Sequence, residues 1–130
     1  MPIDVLQPDS YALDRDLPRI AWTPDSTDLH LNLVSLQPGE EIGAHVNQSL
    51  DVVLTCLAGS GDIEVAAERI TLQPGTVVLI PAGMNRHIVA GNNGVRYTTC
   101  HRKRGGMMPT IRRDTVSSSP DTPTPSPSGA

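Results

Sequence analysis

An all-β single domain, closed as an antiparallel barrel or sandwich, is the fold class that this sequence predicts. Three observations carry that expectation. Short apolar runs rich in Val, Ile, Leu and Thr recur between residues 29 and 101, and no stretch holds the period of an amphipathic helix. Glycine and proline cut these runs at regular intervals, at Gly39, Gly59, Gly75, Pro81 and Gly91. The turn Gln37-Pro38-Gly39 returns as Gln73-Pro74-Gly75, with proline presetting φ and glycine accepting a positive φ. A barrel closes its own edges and leaves an interior that side chains fill or a ligand occupies.

Residues 1–28 read as an extended, acidic arm punctuated by Pro2, Pro8, Pro18 and Pro24. A short strand is expected at Ile20-Ala21-Trp22, with the single tryptophan tying the arm to the body. Leu29 to Leu36 alternates leucines with His30 and Asn32, a half-buried strand with those two polar residues in solvent. Glu41 to His45 is the next strand, Val46 to Leu50 a turn, and Asp51 to Leu57 a central strand. Gly59-Ser60-Gly61 is expected to be a hairpin loop, followed by a second hairpin, Asp62 to Ala66 and Arg69 to Leu72, around Ala67-Glu68. Thr76 to Ile80 is strand, Pro81-Ala82-Gly83 a turn, and Asn85 to Ala90 strand. Asn92-Asn93-Gly94 carries a strong hairpin signal before the last strand, Val95 to His101. About nine strands result, in a domain spanning 29–104. Residues 105–114 are expected to form a short appendage packed by Met107, Met108 and Ile111. Residues 115–130 alternate proline with Ser, Thr and Asp, a composition that cannot bury a core and is expected to be disordered.

The 130 residues carry a net charge of −4, which excludes the globally basic surface that nucleic acid or an anionic membrane would select. Five of the ten basic residues lie between Arg102 and Arg113, and six of the fourteen acids in the first 28 residues. Ends of opposite sign favour contact with each other or between subunits. With no Phe, one Trp and two Tyr, a site built on ring stacking is disfavoured. Cys56 and Cys100 lie in apolar runs with no C-x-x-C, which reads as two buried thiols in a reducing compartment. The start lacks a basic region followed by an apolar stretch, and no run is long enough to span a membrane; a cytoplasmic location is expected. No phosphate loop, zinc spacing or serine-hydrolase elbow is present.

Gly39, His45-Val46-Asn47, Asp51 and Gly59 follow one another as glycine, His-x-Asn, an acid and glycine. Gly75, Pro81-Ala82-Gly83 and Arg86-His87 follow some fifteen residues after that stretch. Together they resemble the two motifs of the cupin superfamily, over about residues 29–101. The resemblance implies a small single-domain cupin, a double-stranded β-helix or jelly roll, with degenerate metal motifs. It also implies the family's usual site, a divalent metal such as Fe, Mn, Ni or Zn held by three histidines and a glutamate inside the barrel. Carried over residue by residue, the first histidine position is His45, the second is Asn47, the glutamate is Asp51 and the third histidine is Arg86, with His87 one place further.

Strand alternation decides between two arrangements. If Arg86 faces inward, His87 faces outward, and a permanent cation occupies the metal's place. If a one-residue bulge swaps them, His45, Asp51 and His87 make a two-histidine, one-carboxylate metal set. Alternation is the default geometry and favours the first, with no metal cofactor. The expected function is then binding of a small anionic metabolite by Arg86 with His45, Asn47 and Asp51, and with His101 as a further imidazole. The rival is a metal-dependent oxygenase, isomerase, epimerase or cyclase on His45, Asp51 and His87. His45 and Asp51 are the candidate catalytic pair, an imidazole and carboxylate poised near neutrality. A third alternative is a homodimeric interaction or sensory module assembled through the arm.

Overall fold

The structure, a computed structural model, describes residues 3–46 and 49–103. Asn47, Arg104 and the segments 105–114 and 115–130 lie outside the described residues. A short 3₁₀ turn, Pro8–Tyr11, precedes seven strands: β1 (Ile20–Trp22), β2 (Leu29–Leu36), β3 (Glu41–Val46), β4 (Val52–Val65), β5 (Glu68–Leu72), β6 (Val77–Ile80) and β7 (Asn85–Arg102). All pairings are antiparallel. Among the described residues no helix is long and apolar enough to cross a membrane.

Two long strands organise the chain. β4 and β7 run beside each other almost throughout, and each changes its outer neighbour halfway. The first half of β4 pairs with β6 and the second with β5. The first half of β7 pairs with β3 and the second with β2. One sheet therefore folds over on itself into the two layers of a jelly-roll barrel.

This replaces two of the three expected hairpins. Gly59-Ser60-Gly61 lies inside β4, and Asn92-Asn93-Gly94 inside β7. The register steps from Gly59 opposite Val95 to Gly61 opposite Ala90, so β7 bulges outward there while both strands continue. The strands can pass so closely only because side chains are missing. A Cβ on Gly59 would strike the Gly94 carbonyl, and one on Gly94 would sit 2.7 Å from the Leu36 oxygen. Both glycines hold φ of +79.

The repeated Gln-Pro-Gly turns form, with Gly39 at φ +76 and Gly75 at φ +94, closed by Glu40 N–H to Gln37 O and Thr76 N–H to Gln73 O. The β4–β5 hairpin turns at Ala66-Ala67 instead of Ala67-Glu68, and both alanines are held at positive φ (48 and 74).

The core lies between the layers. Ile42, Ile88, Ile63 and Ile70 stand opposite one another across four strands and form its centre on one layer. Val34, Tyr97 and Cys56 make a corresponding row on the other. Fully burying such a side chain is worth about 1.5–3 kcal/mol. In β2 the expected facing is reversed: Val34 and Leu36 point into the core, so His30 and Asn32 share the inner face and Leu29 is 46% exposed. Leu33 is buried on the outer side, where Trp22 of the arm pairs with it. Cys56 is buried in the core and Cys100 is half-buried, and both thiols are free.

Candidate functional site

Residues 81–84 link Ile80, which pairs with Val52, to Asn85, whose carbonyl accepts the Ala66 N–H. Both ends of β4 therefore meet at one end of the barrel, and the crowded glycines close the other. At the open end, the last row of one layer runs His45–Arg86–Val65–Glu68 by register. Facing it, the other layer ends in His30 opposite His101, with Asn32 opposite Thr99 one row deeper.

Arg86 lies on the inner face, in alternation with buried Ile88 and Ala90. Its Nη1 is buried with no hydrogen-bond partner among the described residues. Burial lowers the guanidinium's pKa, and the neighbouring Tyr97 works the other way. Tyr97, 1% exposed, has its phenol pushed up to about 12 by burial, against the positive charges of Arg86 and Arg19. The interior therefore presents a cation beside a phenol that is neutral at physiological pH.

There is indeed a one-residue bulge near the site, but on the opposite strand. The β3–β7 register shifts between Ile42 opposite Ile88 and His45 opposite Arg86, so the extra residue belongs to β3. β7 pairs regularly with β4 from Arg86 to Ala90 and keeps its alternation. His87 accordingly sits on the outer face, its Nε2 2.6 Å from Glu41 Oε1. Asp51 is another correction to the expected site. It is exposed, and its Oδ1 accepts the Ala82 N–H at 2.8 Å. Its carboxylate holds the Pro81-Ala82-Gly83 turn, because the inward position falls to Val52, 1% exposed. The set His45, Asp51 and His87 is therefore not brought together.

His101 shares the inner face of β7 with Tyr97. Its ring stacks on His30, centroids 5.0 Å apart and 12° from parallel, and its Nδ1 donates to the Arg102 carbonyl at 2.7 Å. Thr23 Oγ1 donates to Asn32 Oδ1 at 2.6 Å.

The described positions do not fit the metal centre that the motifs imply. The carboxylate is committed to a backbone amide, one imidazole to an outer glutamate, and the third histidine position carries a cation that cannot ligate. Among the described residues no three of His, Cys, Asp and Glu converge.

Two further groups lie outside the motifs. Tyr97 belongs to the lining: it alternates with Thr99 and His101 along β7 and lies near enough to Arg86 for each to shift the other's pKa. Arg96 is 4% exposed on the outer face, beneath the arm, where its Nη2 donates to the carbonyls of Leu13 (3.3 Å) and Arg15 (2.7 Å).

A cavity of about 250 Å³ lies between β5, β6 and the 81–84 link, and one of its walls, Val65, pairs with Arg86. Its walls include Val65, Glu68, Ile70, Val78, Pro81 and Met84.

Comparison with known proteins agrees with this architecture. The model of a family described as Cupin domain matches residues 32–99, just over half of the chain. No curated protein matches. Among solved structures, a protein of Bacillus halodurans is 23% identical, with a TM-score of 0.65 over 89% of this chain and 88% of its own. A cupin protein from Bacteroides fragilis is 22% identical, with a TM-score of 0.57 over 71% of this chain and 80% of its own. Salicylate 1,2-dioxygenase from Pseudoaminobacter salicylatoxidans, solved as a G106A mutant in complex with gentisate, is 16% identical; the TM-score is 0.54 over 57% of this chain but 20% of that one. At these identities the likeness is one of fold.

Proposed function

The chain belongs to the cupin family, and on that premise we propose that it binds a small anionic metabolite in the barrel, with Arg86 as the group that selects negative charge. One observation carries this. Arg86 turns into the interior and its Nη1 is buried with no partner among the described residues. A buried guanidinium is unfavourable by several kcal/mol unless an anion or a set of acceptors compensates it. A planar carboxylate accepts two N–H bonds from the guanidinium fork. Tyr97, kept neutral by burial, adds a hydroxyl donor without adding charge. His45, opposite Arg86 in register, and His101, across the barrel end, stand at the same opening. Carboxylates are bound in this proposal, and no bond is made or broken.

The test is a thermal-shift panel of small organic anions on the wild-type protein and on Arg86→Met. An anion at a hundred times its Kd should stabilise the wild type by about 2.7 kcal/mol. The variant should gain nothing. Equal stabilisation of both proteins would remove Arg86 from the site. Stoichiometric first-row metal in untagged protein, lost on His45→Ala, would overturn the proposal in favour of a metal-dependent enzyme.

A further inference from the structure

We infer, on the footing that Arg86 binds an anion, that the ligand is a short aliphatic monocarboxylate whose hydrocarbon body occupies the cavity between β5 and β6. The cavity adjoins Arg86 through Val65, which is both a wall of the cavity and the cross-strand partner of Arg86. Ile70 and Val78 form its depth and pack on the core, and Pro81 and Met84 form the rim. Among the described residues no aromatic ring lines it, so they offer no stacking platform. The one charged or polar side chain among its described walls is Glu68, which leaves a sugar's hydroxyls without the partners they would need.

Glu68 also sets the number of charges. It is the other cross-strand partner of Val65, so the row runs cation, apolar, anion. A ligand with a carboxylate on Arg86 and a second at its far end would bring that second charge towards Glu68. An uncharged tail avoids this. The cavity, about 250 Å³, lies below the usual range of small-molecule sites, about 300–1,000 Å³, which suits a short acid.

The experiment is calorimetric or NMR titration of the full chain with acetate, butyrate, hexanoate, succinate and hexanol. Affinity should rise about four-fold per methylene from acetate to hexanoate. Succinate should bind more weakly than butyrate, and hexanol more weakly than hexanoate. Ile70→Ser should flatten the dependence on chain length. Arg86→Met should weaken every carboxylate at least about ten-fold. Should Arg86→Met not fold, the chain-length series, the succinate comparison and Ile70→Ser still decide the matter. Affinity independent of chain length, or succinate preferred to hexanoate, with the Arg86 dependence intact, would overturn the aliphatic assignment and leave the anion site standing. Carboxylates that bind wild type and Arg86→Met alike, or not at all, would overturn both.

Discussion

Arg86 and Arg96 lie on the same strand and are both pressed out of water, but the two faces of the sheet treat them differently. Arg96 is on the outer face, and the arm is folded down on it. It donates to two arm carbonyls, and Asp16 and Asp14 offset the burial that lowers its pKa. Arg86 is on the inner face, where a neutral phenol stands in place of those carboxylates. Arg96 is tied to the arm through its Nη2, while its Nε and Nη1, like the Nη1 of Arg86, are buried without a partner among the described residues. What separates the two is the surroundings: arm carbonyls and carboxylates on the outer face, a phenol and an open barrel end on the inner one.

The largest effect should come from breaking the arginine that the arm carbonyls hold. Arg96→Met removes two charge-assisted hydrogen bonds and the arm's anchor, and should destabilise the protein by about 3 kcal/mol in urea melts. Limited proteolysis should then cut the arm first.

Next in size is the phenol that distinguishes the inner face. Tyr97 ionises near 10 when unfolded and at about 12 when folded. Below pH 10 it is neutral in both states and its contribution is fully present. Above that the unfolded chain loses the proton first, and the contribution is gone once the pH passes about 12. The loss should be on the order of 2–3 kcal/mol. Burial also raises the Cys56 thiol, which acts in the same direction from about pH 9 upward. Denaturation of wild type and Tyr97→Phe from pH 8 to 12 separates the two, because only the tyrosine's share should disappear.

Replacing the inward-facing arginine should have the opposite sign. Arg86→Met should leave stability unchanged or raise it by about 1 kcal/mol. A loss as large as that of Arg96→Met would mean that Arg86 is structural too, and the contrast between the faces would fail.

The smallest effect calibrates the others. Ala67, at φ 74 in the two-residue hairpin, should accept glycine with a gain of about 0.5–1 kcal/mol, measured in the same melts. Arg96 pairs with Ala58, several residues along β4 from that turn, so the gain should add to its effect.

Much of the fold could be read in advance because its signals are local. The Gln-Pro-Gly turns form at both positions, and Ile20-Ala21-Trp22 is a strand. Period-two alternation alone puts Arg86, Ile88 and Ala90 on one face, and the fold keeps them there. The misplaced elements depend on distant partners. Asn92-Asn93-Gly94 is a good hairpin in isolation, yet β4 is present to pair on both sides of it, and the strand continues through a bulge. Asp51 was placed by its position in a motif, while its hydrogen bond goes to Ala82, 31 residues away. His87 finds Glu41 at a separation of 46 residues. Leucines are the more apolar set, which points His30 and Asn32 to solvent, but the register with Tyr97 and Val95 makes Val34 and Leu36 the inner residues.

The sequence by itself therefore determined which segments are strands, where they turn and which side chains alternate together, since backbone sterics and a two-residue period act within a few residues. Tertiary structure decided which face looks inward, where Asp51 and His87 find their partners and which of two arginines the arm carbonyls hold. Those outcomes follow from registers between strands dozens of residues apart, where a shift of one position exchanges inside for outside.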